Sequence, residues 1–396
     1  MKKKLQLFEY IILIFVLCSI GSLFHDVFTQ KNPSKPIILT TQSSILPTPI
    51  SASFESTTNQ LVSEAPQCRR LFTDFLFKNQ FTFALPNYGM TTKSVENLRM
   101  MEINSLNLFE SVRYIIKDDK GAEQTVWRSE KPVYQTEGLA AGIQSMNSDI
   151  VVMVEVESLI ALKQFNSAFL RNQYQEFLIE GNDTRGIDIG ILIKKNLPFE
   201  IEMRTNRDLK IAGIPLFSRD LPVVVFKEKA GKMPTVKFVI LLTHYKSKRP
   251  TPKDGDGSDK RLTQADYTRL LIEKLQTEFG IETPIFLAGD FNNDVPTAPE
   301  FNQLRSLPLI DPLDKFKPEQ RFTHFYFNPQ GQPEFHQLDA FLHTQSKRIT
   351  ITNAQIVPPK DKYGNNLPIP KSYKERELLP SDHMATVIDV NFNEHP

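Results

Sequence analysis

The chain has 396 residues, with 47 Lys and Arg against 46 Asp and Glu, a formal net charge of +1. This length allows a large hydrophobic core, and the balanced charge excludes a protein that binds nucleic acid through its overall charge, although a local basic rim stays possible. The two cysteines, Cys18 and Cys68, exclude a disulfide framework and a cysteine-based zinc site.

The N-terminal 25 residues are predicted to direct the chain to a membrane. Three lysines at positions 2–4 precede a mostly apolar stretch at 11–24, which is the pattern of a signal peptide or an uncleaved signal anchor. Because basic flanks stay in the cytoplasm, the rest of the chain is expected to be extracytoplasmic, either membrane-anchored or secreted. Residues 26–66 are rich in Ser, Thr and Pro and are predicted to form a tether.

From residue 67 onward the pattern predicts folded structure. Residues 67–95 are an N-terminal extension with a short helix around 71–77, and residues 96–393 alternate strand-like and helical runs. The predicted strands are 98–103, 149–154, 187–193, 221–226, 237–242, 284–288, 338–342 and 385–390. The predicted helices are 136–146, 158–170 and 262–279. This mixture indicates one α/β domain with two sheets packed face to face and helices outside.

Polar residues stand where these strands end or begin. The segment Gly289-Asp290-Phe291-Asn292 follows an apolar run and places a carboxylate beside a carboxamide at a sheet edge. An Asp can orient or deprotonate a water, and an Asn can donate a hydrogen bond to a developing oxyanion. Matching polar residues at the other strands are Asn104, Glu155, His244, Asp339, Asp382 and His383. Together they predict a site for a hard divalent cation with acid–base groups.

The order and spacing of these pieces resemble the endonuclease/exonuclease/phosphatase family over residues 96–393. The matching segments are 104–109, 149–155, 185–188, 244–248, 289–292, 337–339 and 381–383. The resemblance implies a four-layer αββα sandwich of two packed mixed sheets with outer helices. It also implies a metal-dependent phosphoesterase that uses Mg²⁺, with Mn²⁺ or Ca²⁺ as alternatives.

The resemblance further implies roles for single residues. Glu155 and Asp382 would bind the metal, and Asn104 would hold the metal shell or a substrate phosphate. Asp290 would orient or deprotonate the attacking water, and Asn292 would bind a phosphate oxygen.

The two histidines of the motifs are expected to act on the phosphate. His383 would be polarised by Asp339, because an Asp–His pair fixes the imidazole tautomer and favours its protonated form. His244 would protonate the leaving oxygen, with Asp188 as its expected carboxylate partner and Asp183 as the alternative. The cations expected to contact phosphate are Lys246, Arg185 and Arg219.

The substrate stays open within this chemistry. A nuclease is favoured by six cations that could follow a phosphate backbone, which are Lys246, Lys248, Arg249, Lys253, Lys260 and Arg261. A phospholipid or inositol-phosphate phosphoesterase is the alternative, and an inactive binding module of the same fold is the alternative of a different class. A monomer is expected, with nucleic acid as substrate or else a phospholipid or small phosphodiester, and with the membrane contacted through the N-terminal segment.

Overall fold

The computed structural model describes residues 81–84, 95–110, 113–117, 123–127, 129–183, 185–230, 233–250 and 254–393. Its strands, in chain order, are β1 Phe81–Ala84, β2 Asn97–Leu108, β3 Arg113–Lys117, β4 Glu123–Trp127, β5 Ile150–Val156, β6 Tyr174–Leu178, β7 Asp188–Lys194, β8 Phe199–Thr205, β9 Lys210–Ile211, β10 Ile214–Pro215, β11 Val223–Ala230, β12 Met233–His244, β13 Ile285–Asp290, β14 Leu309–Ile310, β15 His324–Phe327, β16 Pro333–His336, β17 Asp339–Thr344, β18 Ile349–Val357 and β19 Ala385–Phe392. Its α-helices are α1 Val133–Met146, α2 Leu159–Phe169, α3 Ser258–Phe279, α4 Asn302–Arg305 and α5 Tyr373–Arg376, and short 3₁₀ helices span Pro299–Phe301, Pro312–Lys315 and Pro318–Gln320.

Two mixed sheets carry the fold. The first has the strand order β1-β8-β11-β12-β13-β17-β14, and the second has the order β18-β19-β2-β5-β7-β6. Each sheet contains one parallel pair, β12 with β13 and β2 with β5, flanked by antiparallel neighbours. Strands β5 and β13, one from each pair, are largely apolar and buried on both faces, as parallel strands require.

Three buried apolar clusters separate four layers. Leu271 of α3 packs in one cluster with Leu241 on the outer face of the first sheet. Leu162 of α2 packs in another with Val151 on the outer face of the second sheet. The third cluster lies between the sheets and contains Phe238. Fully burying such a side chain contributes about 1.5–3 kcal/mol, so the clusters hold the sheets at a fixed spacing. The predicted αββα sandwich is confirmed.

Every strand and helix predicted between residues 98 and 390 is present, with shifted ends. Helix α3 begins at Ser258, four residues before the predicted start, because Gly257 adopts a left-handed φ of 77° and turns the chain into the helix. The strands that the sequence did not indicate include β6, β8 and β18. Strand β1 pairs with β8, so the first sheet begins before residue 96.

The predicted targeting segment and tether, residues 1–66, lie outside the described residues, as does the helix predicted around 71–77. Among the residues that the structure describes, no helix combines the length and the apolarity needed to cross a bilayer.

Candidate active site

Three polar residues lie side by side where neighbouring strands of the first sheet meet one edge. His244 ends β12, Asp290 ends β13 and Asp339 begins β17. The strand register pairs His244 with Asp290 and Asp290 with Asp339. Directly paired residues point to the same face of a sheet, so the imidazole and the two carboxyl groups form one row. All three side chains are buried.

The second sheet contributes Asn104, at the end of the regular part of β2. Its Nδ2 atom donates a hydrogen bond of 3.1 Å to Oδ2 of Asp290, and its Oδ1 atom accepts one of 2.9 Å from the backbone N–H of Leu106. The side chain is therefore held on both sides. Because Asn104 and Asp290 belong to different sheets, this bond joins the two sheets at the site.

Strained backbone surrounds the predicted metal ligand Glu155. Glu155 has a φ of 62° at a β-bulge between Val154 and Val156. Leu106 and Asn107, beside it, have φ values of 48° and 58°. Each non-glycine residue in this region costs about 1 kcal/mol or more, and such residues cluster where function requires a particular side-chain direction. The Asn107 N–H then donates a 3.0 Å hydrogen bond to Oε2 of Glu155, which fixes the carboxylate.

His383 and Asp339 form the pair expected from the sequence. Nδ1 of His383 lies 2.7 Å from Oδ2 of Asp339. Burial disfavours the imidazolium, but the charge of Asp339, followed by those of Asp290 and Asp382, outweighs it and raises the pKa of His383 well above its usual value. This environment therefore favours the protonated imidazole.

Asp290 receives hydrogen bonds that define its orientation. The backbone N–H of Asn292 donates to Oδ1 at 2.7 Å, and Nδ2 of Asn292 donates to Oδ2 at 3.2 Å. Burial is the main reason why the pKa of Asp290 rises to about 7. A carboxyl group that exchanges its proton near neutrality suits general acid–base catalysis.

His244 differs from the prediction in its partners. Its Nε2 atom lies 3.6 Å from Oδ2 of Asp290 and 4.0 Å from Oε1 of Glu155, while Nδ1 has no hydrogen-bond partner among the described residues. Burial, together with the charges of Arg219 and Arg185, lowers the pKa of His244 well below its usual value. These surroundings favour the neutral ring, and the role of His244 as proton donor to the leaving oxygen stays a prediction.

The two carboxylates expected beside His244 lie elsewhere. Oδ1 of Asp188 accepts a 2.7 Å hydrogen bond from the N–H of Gly181. Asp183 forms ion pairs with Arg185 at 3.1 Å and Arg219 at 2.9 Å. Asp188 is the first residue of β7 and pairs with Val156. Its carboxylate contacts the preceding loop at Gly181, and the sequence motif alone does not predict this contact.

We expect Asp188 to make stability depend on pH. Burial raises its pKa from an ordinary value of 3.8 to about 7, so the folded state holds a proton that the unfolded state releases between these values. Stability from this group is therefore lost as pH rises from about 4 to about 7. An Asp188→Asn variant should match the wild type near pH 4 and be more stable at pH 8 by roughly 2–4 kcal/mol in urea unfolding.

Asp183→Asn is the matched control, because hydrogen bonding to Arg185 outweighs burial and lowers the pKa of Asp183. It should be less stable than the wild type at pH 8. A difference between Asp188→Asn and the wild type that is the same at pH 4 and pH 8 would contradict the burial effect.

The predicted phosphate contacts are engaged within the protein. Nζ of Lys246 donates to the carbonyls of Ser247 and Arg249, each at 2.7 Å. Arg219 is buried and donates from Nη1 to the carbonyl of Tyr245 at 2.9 Å. Arg185 keeps 46% of its side chain exposed while pairing with Asp183. Of the three, Arg185 is the most accessible to a substrate.

Four residues near the site were not singled out from the sequence: Glu102, Lys131, His324 and Arg376. Glu102 is fully buried, and burial followed by the charges of Asp339 and Asp290 raises its pKa well above the usual value. Burial lowers the pKa of Lys131 to about 8, and its Nζ donates to the carbonyl of Leu106 at 3.0 Å. A carboxyl two residues before Asn104 on the same strand face was a usable signal for Glu102.

The donor atoms at the site fit a divalent cation. Ligand atoms of Asp290, Asp339 and His383 lie within 4.8 Å of one another. Oδ1 of Asp339 and Oδ1 of Asp382 are buried and accept no hydrogen bond from the described residues. A buried oxygen without a partner costs about 1–3 kcal/mol, which a cation would relieve. Two of the residues predicted to bind this cation are engaged with other side chains: Asn104 donates a hydrogen bond to Asp290, and Asp382 forms an ion pair with Arg376.

No family model matches the chain, and no curated protein matches its sequence. Solved structures do match. They include the endonuclease/exonuclease/phosphatase from Bacteroides vulgatus, with 15% identity and a TM-score of 0.47 over 75% of this chain and 99% of that chain. They also include the mannosyl-6-phosphatase from Bacteroides thetaiotaomicron, with 16% identity and a TM-score of 0.46 over 74% of this chain and 100% of that chain.

A third match is D. rerio TDP2 complexed with single strand DNA product, with 15% identity and a TM-score of 0.46 over 74% of this chain and 99% of that chain. The chain is thus similar to proteins of the fold that its motifs predict. At these identities the likeness is one of fold, and it assigns no substrate to this chain.

Proposed function

We propose that the chain is a metal-dependent phosphodiesterase of the endonuclease/exonuclease/phosphatase family, and that its substrate is a nucleic acid. The observation that carries the proposal is the row of His244, Asp290 and Asp339 across three strands, with His383 paired to Asp339 and Asn104 bonded to Asp290. This arrangement brings a proton acceptor, a charged imidazole and an amide donor to one edge of the sandwich.

In the proposed reaction Asp290 orients the attacking water and accepts its proton, as a pKa near neutrality allows. His383 is held charged and donates from Nε2 to a phosphate oxygen, since Nδ1 is committed to Asp339. Asn292 adds an amide donor for the same group. A divalent ion, when bound to the carboxylates of the site, would neutralise phosphate charge. As the P–O bond to the leaving group breaks, the leaving oxygen takes up the proton that Asp290 removed from water. His244 lies 3.6 Å from Asp290, in surroundings that lower its pKa, and contributes hydrogen bonding.

The choice of nucleic acid rests on the surface beside the site. The segment 358–380 has five Lys and Arg against three Asp and Glu, and Arg376 within it contacts Asp382. Lys362, Lys371 and Lys374 are exposed. Tyr363 and Tyr373 are 78% and 57% exposed. Cations that follow a phosphate backbone, together with aromatic rings on which bases stack, are typical of single-strand binding surfaces.

The segment 246–261, which the sequence predicts to bind the phosphate backbone of a nucleic acid, gives weaker support for a nucleic-acid substrate. Lys246 is engaged as described above, Nζ of Lys260 donates to the carbonyl of Pro215, and Arg261 is buried against Glu300 at 2.7 Å. Lys248 and Arg249 are exposed in the same loop. We therefore expect the segment 358–380 to contribute more to substrate binding than the loop does.

We also propose that the domain acts outside the cytoplasm, on the basis of the basic and apolar N-terminal pattern. Alkaline phosphatase fused after residue 66, where the predicted tether ends, should be active in bacterial cells. An inactive fusion protein would contradict this proposal.

The test of function is hydrolysis by the purified full-length protein with Mg²⁺ or Mn²⁺, against EDTA. Single-stranded DNA, plasmid DNA, structured RNA, sphingomyelin vesicles and bis-p-nitrophenyl phosphate are compared. Metal-dependent cleavage of a nucleic acid is expected. Cleavage of sphingomyelin alone would overturn the choice of substrate, and no cleavage of any substrate, with no stabilisation by millimolar Mg²⁺, would support an inactive binding module.

A further inference from the structure

His324, which no motif marks, lies against the active site. It opens β15, and its backbone pairs with that of His383 in an isolated antiparallel bridge. The centroids of the two imidazole rings are 4.5 Å apart, with an angle of 52° between the ring planes. The bridge therefore places a second imidazole beside the one that is paired with Asp339.

Both imidazole rings lie close to the carboxylate of Asp382. Nε2 of His324 is 3.7 Å from Oδ2, and Nε2 of His383 is 3.9 Å from Oδ1. Both distances exceed the roughly 3.2 Å of a hydrogen bond. One ligand atom of each residue lies within 4.8 Å of the other two. Metal–ligand bonds of about 2.0–2.2 Å place neighbouring ligands about 3–4 Å apart, so the spacing suits an inserted ion.

Asp382 provides an independent indication of a missing partner. The residue is only 4% exposed, and its Oδ1 atom accepts no hydrogen bond from the residues that the structure describes. Buried carboxylate oxygens are normally paired. Nε2 of His383 lies 3.9 Å from this unpaired oxygen. An ion bound by both atoms would supply the missing partner.

We propose that His324, Asp382 and His383 form a binding site for a transition-metal ion of the Zn²⁺ type. Two imidazole nitrogens and one carboxylate favour such an ion, whereas Mg²⁺ prefers ligands that are all oxygen. The inference rests on the proposed function and deepens it: the ion would replace the proton on Nε2 of His383, so that the ion, and no longer the charged imidazole, would contact the phosphate oxygen.

Arg376 is the natural competitor of this ion. Its Nη2 atom contacts Oδ2 of Asp382, and its side chain is 18% exposed. The guanidinium occupies one oxygen of the Asp382 carboxylate, and its positive charge repels a cation bound to the other oxygen. Removing its charge should therefore strengthen metal binding, which is the opposite of the effect expected from removing an imidazole.

The experiment is calorimetric titration of metal-free, full-length protein with ZnCl₂ and, separately, MgCl₂. The wild type should bind Zn²⁺ at least about tenfold more tightly than Mg²⁺. His324→Phe should weaken Zn²⁺ binding by about tenfold or more and leave Mg²⁺ binding unchanged. Arg376→Gln should strengthen Zn²⁺ binding several-fold. His336→Phe is the matched control, because His336 is the cross-strand partner of His324 and lies outside the cluster. This variant should bind Zn²⁺ with the affinity of the wild type.

Equal affinities of the wild type for Zn²⁺ and Mg²⁺, or an unchanged Zn²⁺ affinity in His324→Phe, would overturn the proposal. If circular dichroism shows that His324→Phe does not fold, the Arg376→Gln variant tests the proposal instead. Unchanged or weaker Zn²⁺ binding by Arg376→Gln would contradict the proposed metal site. The titration uses no substrate, so its failure is distinct from failure of the hydrolysis proposal.

Discussion

Asp290→Asn should remove hydrolysis while leaving the fold intact. The amide can still accept the N–H of Asn292 but cannot take a proton from water, and loss of a positioned base costs on the order of 10²–10⁴ in rate. We expect kcat against the cleaved nucleic acid to fall by this factor. The melting temperature should change little, because the loss of the hydrogen bonds that Oδ2 accepts from Asn104 and Asn292 is offset by the removal of a buried carboxyl whose pKa burial raises.

Asp314→Asn is the matched control for this experiment. Asp314 has 66% of its side chain exposed and pairs with Arg321 on the surface, so activity and stability should both stay within experimental error. If Asp290→Asn keeps hydrolysis within tenfold of the wild type, Asp290 does not activate the water.

Gly289→Ala should destabilise the protein by about 3 kcal/mol or more. Gly289 has a φ of 141°, and a Cβ at this position would lie 1.8 Å from the carbonyl oxygen of Thr243. Thr243 is its partner on the parallel strand β12, so relief requires moving the backbone that carries His244 and Asp290. Strain and overpacking of this kind cost roughly 1–3 kcal/mol each. Urea unfolding monitored by circular dichroism measures the loss.

Gly142→Ala is the control, because it should raise the free energy of unfolding where Gly289→Ala lowers it. Gly142 lies inside α1, and a Cβ there would meet no atom within 4 Å. Alanine in a helix interior stabilises by about 0.5–1 kcal/mol relative to glycine. If both variants have the same stability as the wild type, the close approach of β12 and β13 at Gly289 tolerates a side chain, contrary to our expectation.

The central strands could be predicted because they are continuous apolar runs. Strand β8, Phe199–Thr205, also alternates apolar and polar residues, but its polar face contains Glu202 and Arg204 in an ion-pair cluster, and its charged composition concealed it. Strand β18 also gives a weak signal, because Thr350 and Thr352 face solvent but a bulge between Ile351 and Asn353 interrupts the alternation. A period-two alternation of apolar and polar residues is the signal by which a strand such as β8 can be recognised.

Within the site, the sequence indicated the residues at strand ends but not the contacts between sheets. His244, Asp290 and Asp339 were recognisable because each interrupts an apolar strand. The bond from Asn104 to Asp290, the pairing of His324 with His383, and the turn of Asp188 away from His244 depend on register and on the distance between the sheets. Neither quantity is encoded in local spacing.

The bond between Asn104 and Asp290 has a consequence for how activity responds to distant changes. Its two ends belong to separate rigid layers, whose relative position depends on the aromatic rings packed between them. Among these, Phe226 and Phe238 stack at 4.2 Å, and Phe238 meets Phe286 edge-on at 6.0 Å. A sliding of one layer by 1 Å displaces half of the reacting groups relative to the other half, and misplacement of that size can cost about 10² in rate. Catalysis in this molecule should therefore decline before the melting temperature does when the interior between the layers is repacked.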